Sequence, residues 1–182
     1  MFLLRPGLPW MFLIQTGFLA LVMAAWFVIP RKPWLERLPA PKELWPLSLM
    51  AGLGLWLVGV FCTSLLGRLT HLGSLSEPEP SSLFLVITVL AALLVVPAAE
   101  EYFFRFLLIE RWQPHIGRLG AGIASAAVFA TLQGRPILWL PAFILGLGLH
   151  VLVVSTGQLR AAVLAHMLFN GLALALNWVM IL

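Results

Sequence analysis

Glu100, Glu101 and Arg105 are ionisable side chains set into the most apolar part of the chain. They follow fourteen apolar or hydroxyl residues, 83–96, in the run Pro-Ala-Ala-Glu-Glu-Tyr-Phe-Phe-Arg that begins at Pro97. Placing such a group at the centre of a bilayer costs roughly 2.5–3.5 kcal/mol on insertion scales and more in some simulations. Residues of this kind face a bundle interior or a polar cavity and pair wherever they can. On a helix Glu101 and Arg105 are four residues apart with the acid N-terminal, the favourable order for an ion pair. Glu100 is turned by about 100° onto another face. The arginine is therefore expected to hold Glu101 and leave Glu100 free to react. A buried pair that only fixes helix register would account for Glu101 and Arg105. It would not account for Glu100, which has no partner within the motif.

Composition places the motif in a membrane. The 182 residues are 62% hydrophobic and 10% charged, with a mean hydropathy of +1.02, whereas soluble domains are about 25% charged. Several stretches approach or exceed the ~18 apolar residues that a crossing needs. A net charge of +4 and a pI near 10.2 would suggest nucleic acid in a soluble protein. Here the basic residues lie mostly in loops, where they set topology, and no nucleic-acid site is read. The single cysteine, Cys62, excludes an intrachain disulfide and a cysteine-rich metal site. There is no aspartate, so every acid is one of seven glutamates. GxGxxG, Walker, HExxH and CxxC motifs are all missing.

The expected fold is all-α, a polytopic transmembrane helical bundle of about six spans forming one membrane-embedded domain over residues 1–182. The first span covers about Leu8 to Ile29 and is too long in its apolar run for a signal peptide. The second covers about Leu44 to Gly67, where Gly52, Gly54 and Gly59 would permit close helix contact. Glu77-Pro78-Glu79-Pro80 marks a loop. A third helix from Leu83 to Trp112 would be ~45 Å long against a hydrocarbon core of ~30 Å, so it must tilt, protrude or break near Pro97. Gln113 to Arg118 reads as a polar turn, and further helices are expected over Leu119–Gln133, Ile137–Ser155 and Ala161–Leu182. Counting Lys and Arg by alternate loops gives seven on one side (Arg31, Lys32, Arg37, Lys42, Arg111, Arg118, Arg160) and three on the other (Arg5, Arg68, Arg135). By the positive-inside rule both termini are then expected outside the cytoplasm.

Few other polar residues lie at membrane depth. His166 and Asn170 are four apart on the last helix and share a face, as do Phe129 and Gln133 on the fourth. His150 stands alone in Leu-Gly-Leu-Gly-Leu-His. A lone histidine in a span is more often a packing residue, whereas two polar groups on one face need a shared polar surrounding. A glutamate, a histidine and an amide converging in a dry cavity could activate a water for hydrolysis.

At these residues the chain resembles the CPBP family of intramembrane proteases, the CAAX proteases and the Abi-like bacteriocin-processing proteins. Glu100-Glu101-xxx-Arg105 matches its EExxxR motif, and His166-xxx-Asn170 its HxxxN motif. Phe129-Ala-Thr-Leu-Gln133 lies where the family has FxxxH. The resemblance covers about 83–170. It implies Glu100 as the general base, Glu101 and Arg105 as its brace, His166 as the group that orients the water, and Asn170 as a donor to the oxyanion. It also implies a peptide or membrane-anchored protein substrate in contact with membrane lipid; the compact six-span form points to a bacterial plasma membrane. The family has been described both as metal-dependent and as glutamate-type. No cofactor is expected here, because one matched histidine makes no three-ligand zinc set; the resemblance leaves a divalent metal such as zinc open. Gln133 departs from the pattern, since an amide cannot take up a proton near neutral pH. Either the amide suffices, or His150 replaces it, or the protein is a silent scaffold or immunity protein of the same fold. A proton or ion pathway is the remaining alternative.

Overall fold

The computed structural model describes residues 44–70, 86, 89–133 and 136–179, and these are helical almost throughout. The span expected over Leu8 to Ile29 lies outside the described residues. The elements are α1 (Leu44–Thr70), a first π turn (Ala91–Val95), α2 (Val96–Glu101), a second π turn (Tyr102–Leu107), α3 (Leu108–Thr131), a 3-10 turn (Pro136–Leu138), α4 (Trp139–Thr156) and α5 (Leu159–Val179). Among the described residues, Trp45–Leu66, Pro136–Thr156 and Leu159–Leu176 are long and apolar enough to cross a membrane.

The helix that carries the glutamates does not break at Pro97. Proline lacks an N–H and its ring crowds the preceding turn. The chain meets this with an i→i−5 turn immediately before it: the Val96 N–H bonds to Ala91 O, and Pro97 then falls in the first turn of α2. The turn expected over 113–118 is much tighter. Helix continues to residue 116, and the reversal is made at Gly117, with φ 72° and ψ 167°, which kinks α3 into two helical arms. A residue with a Cβ rarely adopts that backbone. Gly157, with φ 67°, makes the equivalent reversal between α4 and α5.

The bundle packs α1 against α5 and α4, and α3 against α4. Its core joins Phe104, Phe129 and Ala130 to Leu145, Leu149, Leu152 and Val153 of α4 and to Ala161, Ala162 and Ala165 of α5. Small residues set the spacing. A Cβ on Gly52 would stand 2.7 Å from the Ala165 carbonyl, and one on Gly59 would stand 3.1 Å from the Phe169 ring. Gly54 faces open space, so it is not part of this contact. The opposite side of α1 exposes Met50, Leu57 and Phe61, an apolar surface suited to lipid.

These contacts separate the glycines by experiment. Gly52→Val is expected to lower stability by about 1–3 kcal/mol, the usual cost of overpacking. Gly54→Ala should leave it level or raise it by up to ~1 kcal/mol through helix propensity. Thermal unfolding of both variants in detergent micelles checks the contrast; equal losses would contradict the packing described.

Candidate active site

Helical geometry brings the two glutamates to a histidine from the far end of the chain. α2 ends at Glu101 and packs against α5, on which His166 sits one residue after Ala165. His166 Nδ1 is 2.9 Å from Glu101 Oε1, a buried hydrogen bond spanning 65 residues of sequence. Its other nitrogen, Nε2, is 3.8 Å from Glu100 Oε2. That separation exceeds a direct hydrogen bond and is of the kind a water can bridge. The Glu100 side chain is 20% exposed, against 3% for His166 and 0% for Glu101. Glu100 is thus the most exposed member of the cluster.

Arg105 closes the other side. Its Nε lies 3.0 Å from Glu101 Oε2. The N–H is not aimed along that line, so the contact is one of charge rather than a directed hydrogen bond. Nη2 donates to the Gly146 carbonyl of α4 at 3.2 Å. The guanidinium carbon stands 5.0 Å from the centre of the Phe129 ring and 5.8 Å from that of Phe104, within reach of cation–π attraction. Phe129 also stands edge-on to the His166 ring at 6.0 Å, and so touches both sides of the cluster.

The structure therefore gathers Glu100, Glu101, Arg105 and His166. Asn170, one turn beyond His166, donates from Nδ2 to the Ala92 carbonyl at 3.0 Å. Ala92 lies in the first π turn, and Pro97 has no N–H to offer its carbonyl. Gln133 is half-buried just past the end of α3, where its backbone N–H closes a turn on Ala130 O. His150 is buried in α4 with Nδ1 unpartnered. Its ring fills the space beside Gly122, where a Cβ would collide with the imidazole. Among the described residues no hydrogen bond or ion pair joins Gln133 or His150 to the glutamates or to His166.

The link between Glu101 and His166 is not apparent from the sequence, nor are the parts played by the Gly146 carbonyl and Phe129. The small face Gly122, Ser125, Ala126, Phe129, Ala130, all buried at helical spacing, was the available signal.

Glu101 Oε1 and His166 Nδ1 are engaged with each other, position 133 is an amide, and the described residues hold no group of three His, Cys, Asp or Glu placed to share an ion.

Fold and site define an all-helical integral membrane protein with a carboxylate–histidine cluster buried between its helices. The sequence model of the Rce1-like type II CAAX prenyl endopeptidase family matches residues 81–172, and the chain belongs to that protease family. The matched segment contains every candidate site residue named above and excludes α1. Comparison with curated proteins and with solved structures gave no match.

Removing either partner of the Glu101–Arg105 pair strands a buried charge. Glu101→Gln and Arg105→Ala are expected to lose about 3–5 kcal/mol, while Glu100→Gln, at the open edge, should unfold close to the parent temperature. Thermal unfolding of the three variants tests this division, and a uniform loss would remove it.

Proposed function

We propose that the protein is an intramembrane endopeptidase that hydrolyses a peptide bond in a membrane-anchored or small peptide substrate by a glutamate-activated water. The observation that carries this reading is the two-sided engagement of His166. An ionised Glu101 carboxylate only accepts, so Nδ1 is the nitrogen that carries the proton. In the neutral ring Nε2 is then an acceptor, and it faces a second acceptor, Glu100, at 3.8 Å. A water between them donates one hydrogen to each and keeps its lone pair for attack. Glu100 takes the proton as the hydroxide adds to the scissile carbonyl, and later delivers it to the leaving amine.

Asn170 uses one N–H on Ala92 O, which fixes the plane of its amide. The second N–H is the one proposed to meet the oxyanion. Gln133 is proposed to position water or substrate. The proposed setting is a bacterial plasma membrane, suggested by the compact six-span form, with both termini on the non-cytoplasmic side as the basic-residue count would have it. Gln133 in the place of a histidine also favours a second reading, a silent scaffold or immunity protein that keeps the fold and binds a partner.

Cleavage of anchored model peptides by the protein in lipid nanodiscs distinguishes the two. Glu100→Gln should lower turnover by at least ~10²-fold, the lower end for a general base, and His166→Ala should be inactive though folded. Turnover that survives in Glu100→Gln would overturn the mechanism, and its absence in the folded parent would favour the scaffold. Gln133→His is expected to preserve or raise turnover. Loss in His150→Ala, partly rescued by Gln133→His, would show that His150 has taken over the family histidine's task; parent-level turnover would leave that task with Gln133.

A further inference from the structure

The two π turns stand on either side of the glutamates, and each has a carbonyl taken up by a side chain from another helix. In the second π turn the last i→i−5 bond runs from the Leu108 N–H to Phe103 O. When α3 resumes i→i−4 pairing, the next N–H reaches residue 105, and the carbonyl of Phe104 is passed over. Ser125 Oγ, from the second arm of α3, donates to that carbonyl at 2.7 Å. Ser125 is 2% exposed and Phe104 is also 2% exposed, so water cannot supply the bond instead.

A π turn alone does not fix its own position. The extra residue can move by one along the helix, and the carbonyl passed over moves with it. Each such step changes the rotation of the side chains inside the turn. Arg105 is inside this turn, directly after Phe104, and its guanidinium must meet Glu101 on one side and Gly146 O on the other. A donor held on a neighbouring arm selects one position out of several. The same face of α3 supplies Phe129, which stacks edge-on with Phe104 at 5.2 Å and lies under the guanidinium.

We propose that Ser125 is a positioning residue: by binding the Phe104 carbonyl it pins the second π turn, and through Arg105 it holds Glu101 against His166. Its catalytic consequence rests on the protease reading, while its effect on the Glu101–His166 hydrogen bond does not.

The experiment compares the parent, Ser125→Ala, Ser125→Thr and Ser125→Cys, each full length in lipid nanodiscs. The His166 ring is followed by ¹⁵N NMR of labelled histidine, its signals assigned by their loss in His166→Ala, and cleavage of anchored model peptides is measured in parallel. In Ser125→Ala the Nδ1-protonated signal of His166 should broaden or mix with the other tautomer, and kcat should fall by about 10- to 10²-fold, as expected for sub-ångström misplacement, with KM held within about twofold. Ser125→Thr, which keeps the hydroxyl, should restore both. Should either of these variants fail to fold, Ser125→Cys, with similar volume and a weaker donor, should give an intermediate shift. An unchanged His166 signal in folded Ser125→Ala, or in Ser125→Cys if only that variant folds, would overturn the proposal. A folded parent without turnover would count against the protease reading alone, and the NMR comparison would still decide the role of Ser125.

Discussion

A buried carboxylate that faces a guanidinium with one oxygen and an imidazole with the other is the contact on which this structure turns. Glu101 lies 3.0 Å from Arg105 Nε and 2.9 Å from His166 Nδ1, with its side chain fully buried. Arginine in so apolar a surrounding is tolerated only when its charge is answered on several sides. Glu101 answers one, the Gly146 carbonyl a second, and the rings of Phe104 and Phe129 add cation–π attraction, while Nη1 has no hydrogen-bond partner among the described residues. The helix contacts follow from that need. Gly146 lets α4 approach Ala126 and Phe129 closely enough to present its carbonyl, and Gly52 lets α1 rest on the backbone beside His166. With Glu101 held this way, His166 presents a defined nitrogen to Glu100.

The membrane class, the helical fold and the family were legible in the sequence because each rests on strong, local signals. Long apolar runs leave few folds available, and Glu100-Glu101-xxx-Arg105 with His166-xxx-Asn170 is specific in combination. The separation of Glu101 from Glu100 was also legible, since a rotation of about 100° between neighbours depends on nothing but helical period. What sequence could not supply was contact between helices. That His166 would reach Glu101 through Nδ1 rather than only Glu100 depends on how α5 lies across α2. The burial of His150 against Gly122, apart from the other candidates, depends likewise on how α4 packs on α3.

The π turns account for the remaining gap. Periodicity arguments assume one rotation per residue, and an i→i−5 turn breaks that assumption without leaving an obvious mark in composition. Pro97 announced a disturbance, with a tilt, a protrusion or a break all open; at the proline the chain widened its helix rather than breaking and let Asn170 cap the carbonyl left over. The second π turn has no proline at all. Its sequence, Tyr-Phe-Phe-Arg-Phe-Leu, reads as ordinary helix, and only the serine on the facing arm betrays the carbonyl that needs a donor.

The fit between Gly122 and His150 ties two positions 28 residues apart into one unit of volume. The imidazole occupies space that any larger residue at 122 would claim, so neither site can change size freely on its own. Among related chains a side chain at 122 should therefore travel with a small residue at 150, and a histidine at 150 with glycine at 122. A histidine kept at 150 would then reflect the room that glycine leaves as much as any chemistry of its own. Grafting this site onto another helical scaffold would have to carry both residues or neither.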